Sequence, residues 1–166
     1  MDVRLTAREM SQARQCASLR WQLARASGVK DQRRDPDRDL DLLGVKAEMA
    51  VSKLFHLDFN PAAMGIDDGA DLWFGDVSID VKASFTPSAR LLFKTLDAFK
   101  AHVGILVTAH ADRDDVMCVV GGIGQARFKD QARMVDLGRG PCFVMDQHEL
   151  TSVKDMWEIM MERMHG

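Results

Sequence analysis

Gly75-Asp76 stands between two runs in which apolar and polar residues alternate, Leu72-Trp73-Phe74 and Val77-Ser78-Ile79-Asp80-Val81-Lys82. A Gly-Asp pair so placed signals a two-residue hairpin turn, with the glycine at a position needing positive φ. That turn fixes the register. Phe74 faces Val77, Trp73 faces Ser78, Leu72 faces Ile79 and Asp71 faces Asp80. Side chains alternate with a period of two, so Leu72, Phe74, Val77, Ile79 and Val81 share the core face. Asp71, Trp73, Ser78, Asp80 and Lys82 share the other. Two carboxylates then oppose one another, which is unfavourable without a cation between them. Lys82, one step along the same face, is one candidate. A divalent ion, for which aspartate oxygens are hard ligands, is another. A four-residue turn would break the pairing, and Asp67 or Asp68 would then take the place of Asp71. An ordinary surface hairpin offset by Lys82 is the bland alternative.

Glu48 bears on the choice. It lies in Gly44-Val-Lys-Ala-Glu-Met-Ala-Val-Ser-Lys53, an acid among small and apolar residues. Leu43, Ala47, Ala50, Val51 and Leu54 form one stripe of a helix running from about Asp41 to Phe55, and Glu48 sits at the edge of that stripe. Small neighbours allow such a helix to pack close to a sheet and draw the acid inward.

Elsewhere the chain reads as one domain of 166 residues. Met10, Ala13, Ala17, Trp21 and Ala24 predict a helix over 5–26, with Thr6 and Glu9 as a capping box and Gly28 as its end. The charged stretch Val29–Arg38, containing Pro36, reads as an exposed connector, and 56–68 as a loop. Leu91–Lys100 suggests a short helix. Val103–Thr108 and Val116–Val120 suggest buried strands, the second broken by Gly121-Gly-Ile-Gly124 as a bulge or turn with no following helix. Cys142–Met145 suggests another strand or part of the approach to the last helix, and Ser152–Met164 a closing helix whose methionines fill core gaps or meet a second subunit. The expectation is a single α/β domain with a central mixed β-sheet flanked by helices, plus an N-terminal helix. It divides into a basic helix and connector over 1–40 and a core over 41–166.

No apolar run approaches the ~20 residues of a membrane span, and the N-terminus lacks an apolar leader core. Cys16, Cys118 and Cys142 are scattered, suggesting a reduced, cytoplasmic setting. The net charge of −3 is unevenly spread: residues 1–40 hold nine Lys/Arg and six acids, a net of +3, leaving −6 on the remainder. Such an arm can contact phosphates or simply solvate a helix face. Lys46 and Lys53 read as a solvated face of the second helix, with DNA-backbone contact as the other option. Ser84 continues the Lys82 face and could touch a phosphate. The five histidines have no metal-ligand spacing.

The ordered set of helix Glu48, hairpin Asp71 and Asp80-Val81-Lys82 resembles the PD-(D/E)XK nuclease superfamily. It is similar above all to small nuclease-like proteins of bacterial viruses, which pair a G-x-x-x-E-x-A-V-x-K segment with a later D-x-(V/I)-D-V-K segment. Ala70 stands where the motif's proline would be. The resemblance implies a restriction-endonuclease-like αβββαβ core in a phage-infected or bacterial cytoplasm. It implies Mg²⁺ or Mn²⁺ held by Asp71, Asp80 and the Val81 carbonyl. Glu48 would hold a second ion or a bound water, and Lys82 would position the attacking water. The implied substrate is DNA, with branched and single-stranded forms among the candidates and endo- or exonucleolytic cleavage both open. A homodimer is an option by analogy.

Overall fold

The computed structural model describes residues 1–26, 38–59 and 69–165. The expected connector as far as residue 37, the Gly28 helix end and the candidates Asp67 and Asp68 lie outside the described residues, and Arg38, the connector's expected last residue, opens a helix instead. Two long helices come first after a short strand. β1 (Asp2–Arg4) leads into α1 (Ala7–Ala26), and α2 spans Arg38–Phe55. The capping box forms as expected: the Thr6 N–H donates to Glu9 Oε2 at 2.6 Å, and the Glu9 N–H donates to Thr6 Oγ1 at 3.2 Å.

The hairpin follows as β2 (Leu72–Phe74) and β3 (Val77–Ser84). Its register is Leu72 with Ile79, Trp73 with Ser78 and Phe74 with Val77. Gly75 has φ 60°, the left-handed region that the turn demands. β5 (Val103–Ala109) pairs with β3 in parallel, and β6 (Val116–Gly124) pairs antiparallel with both β5 and β1. The result is a mixed five-stranded sheet in the order β1-β6-β5-β3-β2.

Residues 91–100 depart from the expected helix. They form β4 (Leu91–Phe93) and a 3₁₀ turn at Leu96–Ala98, which Thr95 caps through its hydroxyl. Leu91 and Phe93 are buried while Leu92 faces out, a period of two that three residues are too few to announce. β4 pairs with β8 (Pro141–Met145), and β8 with β7 (Arg133–Asp136). There are therefore two sheets among the described residues rather than one. A further correction concerns Gly121–Gly124. β6 runs through these glycines without a break, and α3 (Gln125–Gln131) follows directly. The irregularity falls one residue earlier: Leu106 pairs with Gly121 but Val107 with Val119, so Val120 bulges.

That bulge divides the core. Before it, Met117 and Val119 face a cluster that includes Ile105, Val107 and Ile79 of the sheet with Ala13, Ala47 and Val51 of the helices. After it the alternation is reversed, and Ile123 faces the other side. There it joins Leu106, Leu91, Phe93, Phe99 and Phe128. α4 (Val153–His165) closes the first cluster with Val153, Met156 and Met160. None of the described helices is long and apolar enough to cross a membrane.

Candidate functional site at the open edge of β3

β2 is short, and this creates the site. It pairs only with Val77–Ile79. Among the described residues, Val81–Ser84 have a strand partner on the β5 side alone. A strand residue directs its N–H and C=O to the same edge, so Val81 offers both groups where β2 has ended. Asp71 stands at that point. Its N–H donates to the Ile79 carbonyl at 2.8 Å, closing the hairpin ladder, and its Oδ2 accepts the Val81 N–H at 2.7 Å.

Asp80 and Lys82 point from β3 toward the Phe93 side. Asp80 is buried, and its Oδ1 lies 2.7 Å from Lys82 Nζ. The ammonium also sits 5.0 Å from the Phe93 ring centroid, a cation–π distance. Glu48 approaches from α2. It is buried, as its small neighbours suggested, and Arg20 of α1 grips it in a fork: Nη1 to Oε1 and Nη2 to Oε2, both at 2.7 Å. This fork raises the Arg20 pKa further, so the guanidinium is a fixed charge.

These groups feel one another through Asp71. Asp71 keeps a solvent-facing surface, yet protein atoms crowd it on several sides. That crowding pushes its carboxyl pKa above the ordinary value. The Val81 amide pulls it down, Glu48 pushes it up, and Lys82 and Arg20 pull it down again. Asp71 therefore feels Glu48, Lys82 and Arg20, and Lys82 in turn bonds Asp80; Arg20 was not among the expected site residues. The two aspartates do not simply repel. One is held by a strand amide and the other by Lys82. Hard oxygen donors of this kind fit a divalent cation, with Asp71, Asp80 and the Val81 carbonyl as the donor set.

Sequence reading missed the role of Arg20 by counting it among nine scattered basic residues. A signal was present. Arg20 lies three and four residues beyond Ala17 and Cys16, both buried on the stripe that begins at Met10 and Ala13. A cation continuing an apolar stripe implies a buried anion opposite.

Other candidates fall elsewhere. Lys46 is neither solvated nor turned toward a ligand: it is buried and paired with Asp114 at 2.7 Å. Lys53 bonds the Arg4 carbonyl and Glu9, both at 2.9 Å, and so ties α2 to the start of α1. Ser84 Oγ accepts the Thr86 N–H at 3.1 Å. Asp146, His148 and Glu149 bring ligand atoms within 4.8 Å of one another. Arg133 already pairs with both acids and Arg90 with Asp146, so these residues form an ion-pair network around a 3₁₀ turn. No family model matches this chain, and no curated protein matches it.

Proposed function

We propose that the chain is a metal-dependent nuclease that hydrolyses phosphodiester bonds in DNA. The supporting observation is that Asp71, within electrostatic reach of Glu48 and Lys82, sits beside the Asp80–Lys82 pair of β3 where β2 no longer pairs with that strand. A Mg²⁺ or Mn²⁺ ion bound there supplies an acidified water and a Lewis acid for the phosphoryl oxygens. The chain's own groups have separable tasks. Asp71, just before β2, and Asp80 of β3 would present carboxylate oxygens, and Val81 its backbone carbonyl. Lys82, paired with Asp80, places positive charge where the phosphate gains negative charge. It is a positioning and electrostatic group rather than a base. Glu48, fixed by Arg20, orients a water at the α2 side of the site.

One observation favours a second reading, a nuclease-fold module that binds DNA or regulates a partner without cleaving. Arg20 occupies both oxygens of Glu48, and Lys82 pairs with Asp80, so part of the negative charge is already neutralised internally. The two readings separate cleanly. With labelled DNA and Mg²⁺ or Mn²⁺, the parent cuts, and Asp80→Asn and Lys82→Ala each lower the rate by about 100-fold or more while circular dichroism is unchanged. Saturating Mn²⁺ raises the melting temperature of the parent, by about 2.7 kcal/mol of stability at a hundredfold excess over Kd, but not that of Asp80→Asn. DNA binding with no cutting in either metal would establish the second reading instead.

A further inference from the structure

The fork between Arg20 and Glu48 bears on what the candidate site can hold. Each carboxylate oxygen of Glu48 accepts a bond from a different nitrogen of the one guanidinium, both at 2.7 Å. We infer that Arg20 limits this site to a single divalent ion, by keeping Glu48 out of the donor set and leaving Asp71, Asp80 and the Val81 carbonyl to hold that ion. The inference rests on the proposed metal site and adds the number of its ions and the residue that sets it.

The geometry of the pair is the first support. A planar guanidinium matched to a carboxylate makes two parallel charge-assisted bonds, among the strongest pairings that side chains offer. The Glu48 side chain is only 9% exposed, against 32% for Arg20. Water therefore has little access to the acid and does not compete with the fork. Taking the partner from a buried charge is strongly unfavourable. An ion that recruited Glu48 would have to displace the guanidinium or lie against its positive charge. Arg20 is itself held in place. It follows Cys16 and Ala17 along α1, and both are buried in one cluster with Ala47 and Val51 of α2.

The charge balance is the second support. Asp71, Asp80 and Glu48 formally supply three negative charges, and Lys82 and Arg20 supply two positive ones. These five groups carry one net negative charge. One divalent ion brings the cluster to one net positive charge, and a second would bring it to three. Two divalent ions ~4 Å apart also repel four times as strongly as two unit charges at that distance. Without Arg20 the cluster would carry two negative charges, and Glu48 would lose its guanidinium. The Glu48 charge already bears on Asp71, so the two acids could then share a second ion. Arg20 is thus a positioning residue, acting on the metal site through Glu48.

The test counts bound Mn²⁺ from the electron paramagnetic resonance signal of the free ion, with no DNA present. The parent binds one equivalent. Arg20→Met takes up a second. The double variant Arg20→Met with Glu48→Gln removes the pair as a neutral unit and returns to one equivalent. Its Kd stays within about threefold of the parent, well short of the ~10–100-fold that losing a supporting group at a metal centre costs. Two equivalents in the parent, or one in a folded Arg20→Met, overturn the inference. If Arg20→Met does not fold, the double variant decides: retention of its ion supports the inference, and loss of the ion overturns it by making Glu48 a ligand. DNA cleavage is then assayed on the same samples. If the ion count follows this pattern and DNA is not cut, the inference stands and the catalytic reading falls. If the parent cuts DNA while holding two ions, the catalytic reading stands and the inference falls. A parent that binds no Mn²⁺ overturns both.

Discussion

Asp71 carries an unfavourable charge in the folded chain. Crowding by protein atoms and the nearby Glu48 carboxylate raise its pKa, and the Val81 amide, Lys82 and Arg20 only partly offset this. The consequence for stability has a definite sign. Above its ordinary value near 3.8, the unfolded chain has given up the proton that the folded chain still holds. Stability from this group therefore falls as pH rises through the window between the ordinary and the raised value, and stays lower above it. Asn at this position keeps an acceptor for Val81 and has no charge to lose. In EDTA, Asp71→Asn is more stable than the parent at about pH 7, and the difference shrinks toward about pH 4, as urea denaturation at both values would show. A parent as stable as the variant at neutral pH would mean that Asp71 is not strained. Stored strain of this kind is what a bound cation relieves, so the same residue links stability to the proposed function.

At the scale of elements, the hairpin and β6 contrast in how much their sequences disclose. β2–β3 was legible for the pairs Phe74–Val77, Trp73–Ser78 and Leu72–Ile79, because a turn glycine and a strict alternation act over near neighbours; the expected Asp71–Asp80 pair lies beyond the ladder, where the Asp71 N–H bonds the Ile79 carbonyl instead. β6 was not legible. Its glycines looked like punctuation, whereas their purpose is close approach. A Cβ on Gly121 would lie 2.5 Å from the Thr151 carbonyl oxygen, and one on Gly122 would lie 2.7 Å from the Gly104 carbonyl oxygen. Gly122 also exchanges backbone hydrogen bonds with Thr151, at 3.1 and 2.8 Å, which anchors the chain just before α4. Gly122→Ala is expected to destabilise by about 1–3 kcal/mol, since backbone and the Met156 side chain must both move. Thermal unfolding measures it, and a neutral effect would show that α4 can shift without cost. The 91–93 strand was illegible for a related reason: its partner, β8, lies some fifty residues away, and three residues of alternation cannot be told from one turn of helix.

The whole molecule binds its N-terminal segment into the core. Val3, Leu5, Met10, Ala13, Cys16 and Ala17 are buried in the same cluster as α2 and the sheet. Arg20 reaches from that segment to the candidate site. A chain lacking residues 1–26 would expose one face of α2, leave β6 without the β1 pairing and leave Glu48 buried without its guanidinium. Its far-ultraviolet circular dichroism is expected to show no cooperative thermal transition, whereas the full chain gives one. Retention of a sharp transition would mean that the segment is an appendage. The helices of this result were visible beforehand as apolar stripes, but a stripe does not say which surface it covers, and β1 was not foreseen.

By itself the sequence determined the local matters: the capping box at Thr6 and Glu9, the stripe of α2, the turn at Gly75 and the hairpin register that separates Leu72 and Ile79 from Asp71 and Asp80. These depend on near neighbours and on the fixed periods of helix and strand. Tertiary structure alone decided that Arg20 meets Glu48, that Lys82 rests over Phe93, that the bulge at Val120 turns Ile123 to a second core, and that β2 ends early enough to leave Val81 open beside Asp71. Those outcomes join residues 10 to 28 positions apart, or depend on how two sheets pack, and no local period encodes them.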